Sequence, residues 1–184
     1  MKKLSLAAVV ILTAVLSGCA APSRVEQMVA QTAPADRILQ TPMSNNVAVN
    51  SVSGGKDTNP LWVSNVGNSE FEQALEASLK EAGMLSASKK DGKYVLVATM
   101  EKLDQPMMGF NMTVTATVNY VLTERATGKE VMSKRIAVPF TAKVGDAFAG
   151  VERLRLANEG AVRSNIGELI GEIRKVGVSG VALN

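Results

Sequence analysis

The sequence predicts a single α+β domain: a mainly antiparallel sheet of about four strands with two helices packed on one face, in the order β-α-β-β-β-α. Three observations carry this. "NMTVTATVNYVLT" alternates apolar and polar side chains over its whole length, as a strand with one buried and one wet face does. Two segments, starting near Asn68 and near Asp146, repeat apolar residues at helical spacing. Strand-like runs stand before the first helix and on both sides of the alternating segment.

The chain opens with a leader. Lys2 and Lys3 form a positive start, and Leu4 to Leu16 follow as an apolar run broken only by Ser5 and Thr13. That run is shorter than the roughly 20 apolar residues of a membrane-spanning helix and has the length of a signal-peptide apolar region. Leu16, Ser17 and Gly18 then lead directly into Cys19, the single cysteine. This stretch resembles the bacterial lipobox. The resemblance implies that residues 1–18 are removed and that Cys19 becomes a diacylglyceryl cysteine carrying acyl chains such as palmitate. Ala20 stands where aspartate usually signals retention at the inner membrane, which implies an outer-membrane address.

Ala20 to Asn46 is rich in Ala, Gln, Ser, Thr and Pro without a sustained period, and reads as a flexible tether with a reach of roughly 28 Å. The domain is therefore expected over residues 47–184, with 19–46 as the lipidated N-terminus and tether. Val47 to Val52 reads as a first strand closed by Gly54 and Gly55. In "SEFEQALEASLKEAG", Phe71, Ala74, Leu75, Ser78, Leu79 and Ala82 share one helical face, Asn68 or Ser69 offers a cap, and Gly83 a stop. "KYVLVATMEKL" is apolar on both faces, which suits a strand inside the sheet.

On the alternating strand, Met112, Val114, Ala116, Val118, Tyr120 and Leu122 point to the core. "RATGKE" makes the following turn, with Gly128 where a positive φ is needed, and Pro139 puts the last strand at an edge or bulge. The closing helix, Asp146 to Lys175, carries an apolar stripe through Val151, Leu154, Val162, Ile166, Leu169, Ile173 and Val176. Arg155 and Asn158 interrupt it. Arg155 either snorkels and pairs with Glu159 or ties the helix to the loop near Asp146. Gly160, Ser164, Gly167 and Gly171 line another face, either as small residues on a solvated surface or as a strip where a second backbone packs closely.

Composition narrows the chemistry. There are 184 residues and no histidine. Removing Lys2 and Lys3 leaves 18 basic against 17 acidic side chains, and no basic stripe speaks for nucleic acid. Cys/His zinc sites, histidine-dependent nucleophiles and disulfides are excluded, and no P-loop, G-x-S-x-G or dinucleotide glycine pattern occurs. No catalytic residue, cofactor or metal is expected.

"FEQALEASLKEAGML", "LDQPMMGFNMTVTATVNYVL" and "DAFAGVERLRLANEGAVRSNI", with the lipobox, resemble a group of small proteobacterial lipoproteins. The coarse architecture is similar to YajG-like lipoproteins and to auxiliary lipoproteins of envelope transporters. An acyltransferase of the left-handed β-helix type is excluded, because hexapeptide repeats and a histidine base are both missing. The expectation is a non-catalytic accessory lipoprotein of an envelope transport or assembly system, outer-membrane anchored, facing the periplasm, with an envelope protein as partner. The alternative is a carrier or sensor that binds an acyl chain or glycan in a pocket. Met107, Met108 and Phe110 sit on an inter-strand connection where polar residues are usual. They either fold back over the core or form a soft apolar contact surface.

Overall fold

The computed structural model of the chain describes residues 20–34, 41–61 and 63–181. Its elements are a short helix α1 (Val25–Met28), β1 (Val47–Ser53), α2 (Asn68–Glu81), β2 (Tyr94–Asp104), β3 (Met112–Glu124), β4 (Glu130–Ala142) and α3 (Gly150–Val181). The four strands form one sheet in the order β1-β2-β3-β4. β2, β3 and β4 are antiparallel neighbours, and β1 runs parallel to β2. A parallel pair needs a crossover, which α2 supplies. The fold is the α+β class expected.

Period two decides which face of the sheet is buried. Leu96, Ala98 and Met100 of β2 and Val114, Ala116, Val118, Tyr120 and Leu122 of β3 are buried in one core with Phe71, Leu75 and Leu79 of α2 and Ile166, Leu169 and Ile173 of α3. Each fully buried large apolar side chain contributes about 1.5–3 kcal/mol. Thr113, Thr115, Asn119 and Thr123 on the other face of β3 are half-buried or exposed. β2 lies inside the sheet, and β4, with Pro139, forms an edge.

The turns follow the expected chemistry. Gly128 has φ of 69° between β3 and β4, and Gly83 has φ of 70° just past α2, where Met84 N–H donates to Leu79 O at 2.8 Å. The start of α2 differs. Its cap is Gly67, without a side-chain bond, because Asn68 Oδ1 accepts from Gly55 N–H at 2.7 Å instead. That bond ties the exit of β1 to the helix.

The tether assigned to Ala20–Asn46 is corrected over its described residues. Met28 and Met43 lie in the core, and Ala30 N–H donates to buried Ser78 Oγ at 2.9 Å. The domain therefore begins by Ala20. Ser78 Oγ also donates to Ala74 O at 2.6 Å, so this polar residue on the buried face of α2 is a docking point for the N-terminal segment.

α3 is covered on two sides, by the sheet and by α1 with its flanking chain. Asn165 bonds it to the sheet: Nδ2 donates to Ala116 O and Ile136 O, both at 2.9 Å, while Oδ1 accepts from the buried Tyr120 hydroxyl at 2.8 Å. Burial pushes that hydroxyl well above the ordinary tyrosine pKa. The row of small residues divides. A Cβ on Gly160 would lie 2.2 Å from the Phe140 ring, whereas Gly171 faces open space and Gly167 is exposed near Ala30. Ser164 is half-buried between them. The close approach of another chain segment occurs further along, at Gly177 against Thr41 and Met43.

Gly160→Ala is expected to lower stability, since overpacking costs about 1–3 kcal/mol against about 1 kcal/mol of helix propensity gained. Gly171→Ala should raise it by up to about 1 kcal/mol. Urea unfolding of both variants checks this, and a Gly160→Ala protein as stable as the parent sinks the ring-packing account.

Candidate functional site

Strand direction gathers three loops at one end of the sheet. β1, β2 and β4 end there, β3 begins there, and both long helices start there. The loops are 54–67, 105–111 and 143–149. They enclose the described N-terminus.

A polar clasp holds that N-terminus. Ala20 N–H donates to Pro60 O at 2.8 Å, Ser23 N–H to Asn65 O at 3.3 Å, and Ser64 Oγ to Ala21 O at 2.7 Å. Ser64 O in turn accepts from Gln105 Nε2 at 2.9 Å and from Asn158 Nδ2 at 2.8 Å, while Gln105 Nε2 also donates to Asn158 Oδ1 at 2.8 Å. The loops 54–67 and 105–111, α3 and residues 20–24 are thus one hydrogen-bonded unit.

Glu159 closes the clasp. Its carboxylate is 1% exposed and takes three bonds from Arg24: from the backbone N–H at 2.8 Å, from Nε at 3.0 Å and from Nη2 at 2.9 Å. The hydrogen bond to Glu159 holds the Arg24 guanidinium above its ordinary pKa against desolvation, and the Glu159, Glu152 and Glu26 charges add to this. Arg153 Nη1 donates to Ala147 O at 2.7 Å and Phe148 O at 2.8 Å, fixing the loop before α3. Val144 N–H donates to Asn111 Oδ1 at 3.1 Å and joins that loop to 105–111.

Around this polar interior the loop tips are apolar. Met107 is 99% exposed, Met108 and Phe110 are 84%, Phe148 is 103% and Leu61 is 80%. Among the described residues, the large apolar side chains left exposed are these five with Val144 and Val178. Only Val178, near the end of α3, lies away from this end. An open groove of about 340 Å³ runs between Pro106–Gly109 and the first turn of α3. Among the described residues no cluster of His, Cys, Asp and Glu could hold a metal ion, and no helix is long and apolar enough to cross a membrane.

The residues singled out by sequence are placed as follows. Cys19 lies outside the described residues, one peptide bond before Ala20. Met107, Met108 and Phe110 do not fold back over the core. The Arg155–Glu159 pair is present but long, with Arg155 Nε 4.0 Å from Glu159, while Arg155 Nη2 meets Glu152 at 2.6 Å. Helical spacing found the weaker of two cations, because Glu159's main partner, Arg24, arrives from the N-terminal segment. The tie between α3 and the loop near Asp146 exists but belongs to Arg153. Sequence reasoning missed Arg24, Ser64, Gln105, Leu61 and Phe148. Phe148 had a signal, an aromatic residue between Gly145 and Gly150 where a turn would be polar.

No family model matches the chain, and no curated protein does. Among solved structures it is similar to the Xanthomonas campestris protein XCC0632 of family DUF330, with a TM-score of 0.62 and 15% identity over 88% of this chain and 98% of that one. It is also similar to a candidate lipoprotein from Caulobacter crescentus, with a TM-score of 0.51 and 12% identity over 78% of this chain and 95% of the other. The likeness is one of fold.

Arg24→Ala leaves a buried carboxylate short of its main cation. It should cost about 2–4 kcal/mol, less than for a fully buried pair because Arg24 is partly exposed. Urea unfolding measures the cost, and limited proteolysis should show new cleavage within residues 20–34. An unchanged midpoint and digest would mean that the clasp does not hold the N-terminus. Met107→Ser with Met108→Ser should instead leave stability within about 0.5 kcal/mol of the parent. A large loss in the same urea assay would place these side chains in the core.

Proposed function

We propose that the chain is a non-catalytic, lipid-anchored accessory lipoprotein of an envelope transport or assembly system, facing the periplasm from the outer membrane. The observation that carries this reading is the clasp at Ala20. The residue directly after the lipobox cysteine is held by the body of the domain, so an acyl chain on Cys19 would fix the whole domain to the membrane. Several acyl chains on one cysteine give stable anchoring where a single chain is marginal. The fold shared with a candidate lipoprotein of Caulobacter crescentus adds support.

The buried polar groups are consistent with a structural use. Glu159, Asn158, Asn165 and Tyr120 spend their hydrogen bonds on holding segments together. The carrier reading draws on the groove beside Met107 and Met108, at about 340 Å³. Ligand pockets span about 300–1,000 Å³ and enclose most of their ligand. An open groove near the lower limit suits a contact surface better than storage of an acyl chain.

Cys19→Ser should abolish acylation, because a hydroxyl is a far weaker nucleophile than a thiolate toward the lipid donor. Metabolic labelling with a radioactive fatty acid decides it, and label on the variant would refute the anchor. For the accessory role, photocrosslinking residues at the exposed positions Lys90 and Ser133 are expected to trap a defined envelope protein. That product should depend on Cys19. Crosslinks at neither of these positions in living cells would remove the support for an adaptor.

A further inference from the structure

The clasp has a geometric consequence. Cys19 Cα lies about 3.8 Å from Ala20 Cα, the spacing of consecutive residues. Ala20 is itself 5% exposed and bonded to Pro60. No slack remains between the lipidated residue and the domain. The end of the sheet that carries residues 54–67, 105–111 and 143–149 must therefore lie against whatever the acyl chains enter. It is the same end that holds the exposed apolar tips. Leu61 directly follows the residue that binds Ala20. Pro106 and Met107 directly follow Gln105, which is bonded to Ser64 and Asn158. Phe148 is fixed through its carbonyl by Arg153.

We infer that Leu61, Met107, Met108, Phe110 and Phe148 form a lipid-facing rim that rests in the leaflet entered by the acyl chains of Cys19, so that the domain stands on the membrane by this end. The inference rests on the anchor reading above and adds the occupant of the apolar surface. Side chains of this kind lose water on entering the interfacial zone, as the apolar face of a surface-bound helix does. The side chains can enter while the backbone next to Leu61 and at Phe148 stays bonded within the protein, through Pro60 O and Phe148 O. Methionine and phenylalanine on separate loop tips also suit a fluid surface, which demands no fixed shape of its partner. The opposite end is unlike this one. Its loops, residues 82–93 and 125–129, expose no large apolar side chain, and there Lys93 pairs with Glu124.

The test uses the mature acylated protein in vesicles of phosphatidylethanolamine and phosphatidylglycerol. The Cys19 sulfur is a thioether after acylation, so Met107→Cys, Phe148→Cys, Ser133→Cys and Lys90→Cys each carry one free thiol for an environment-sensitive fluorophore. Labels at 107 and 148 should shift to the blue, brighten severalfold and be quenched by lipid nitroxides. Labels at 133, on the uncovered face of the sheet, and at 90, at the far end, should remain as in water. Protein that is acylated by mass and floats with the vesicles, yet keeps labels 107 and 148 wet, overturns the rim and leaves the anchor standing. Protection that develops only in native membranes would assign the tips to a protein partner and also overturns the rim. A mature protein without acyl mass overturns the anchor reading, and this inference with it.

Discussion

A carboxylate buried in the first half of α3 constrains the rest of this molecule. Glu159 is 1% exposed, and a charge so placed must be paired and hydrogen-bonded or it destabilises the fold by several kcal/mol. The neighbours on its own helix do not suffice, since Arg155 stands 4.0 Å away and is engaged with Glu152. Arg24 must come across from the N-terminal segment, and its backbone N–H joins its side chain in the same task. Even well paired, such a carboxylate adds little net stability, because desolvation offsets most of the attraction. Its effect is to specify a partner. Residues 20–24 can cross α3 at one place, and from that crossing follow the clasp on Ser64 and the position at which any lipid anchor emerges.

The same crossing explains why α3 reads oddly in the sequence. A helix with one buried stripe has a polar back, but α3 is covered by the sheet on one side and by the N-terminal segment on the other. Asn158, Glu159 and Asn165 are buried polar residues facing different partners, and Gly160 makes room for Phe140. Arg163 lies over the same ring at 5.6 Å and donates to Gln27 O, so the edge strand, the helix and the N-terminal segment meet at one aromatic side chain. Interruptions of an amphipathic pattern here mark a second layer.

The sheet and the two long helices were legible because each buries one periodic face, and that periodicity is written locally. β3 alternates through Thr113–Thr123, and α2 repeats Phe71, Leu75 and Leu79 at helical spacing. The N-terminal segment has no such period. It enters the core through isolated side chains, Met28 and Met43, and its strongest bond joins positions 135 residues apart. Composition therefore made it look like a linker. The site was legible in part for the same reason. Two methionines and a phenylalanine in a strand connection stand out locally, but their closeness to Ala20 depends on Ser64, Gln105 and Asn158, which only the folded chain brings together.

Strand direction and polarity give the domain an axis. The strands run between an end with bare apolar tips, where the N-terminus is clasped, and an end whose described loops expose no large apolar side chain and where Lys93 pairs with Glu124. Exposed pairs such as Lys93–Glu124 add little stability, but their charges keep that end in water. In the proposed anchoring by its apolar end, the module has its strands standing off the lipid surface along their length. The uncovered face of β3 and β4 then stands along that direction, open to a neighbour. A flexible tether would have left every orientation open. The clasp removes that freedom, so the proposed anchor on Cys19 would set the orientation of the domain.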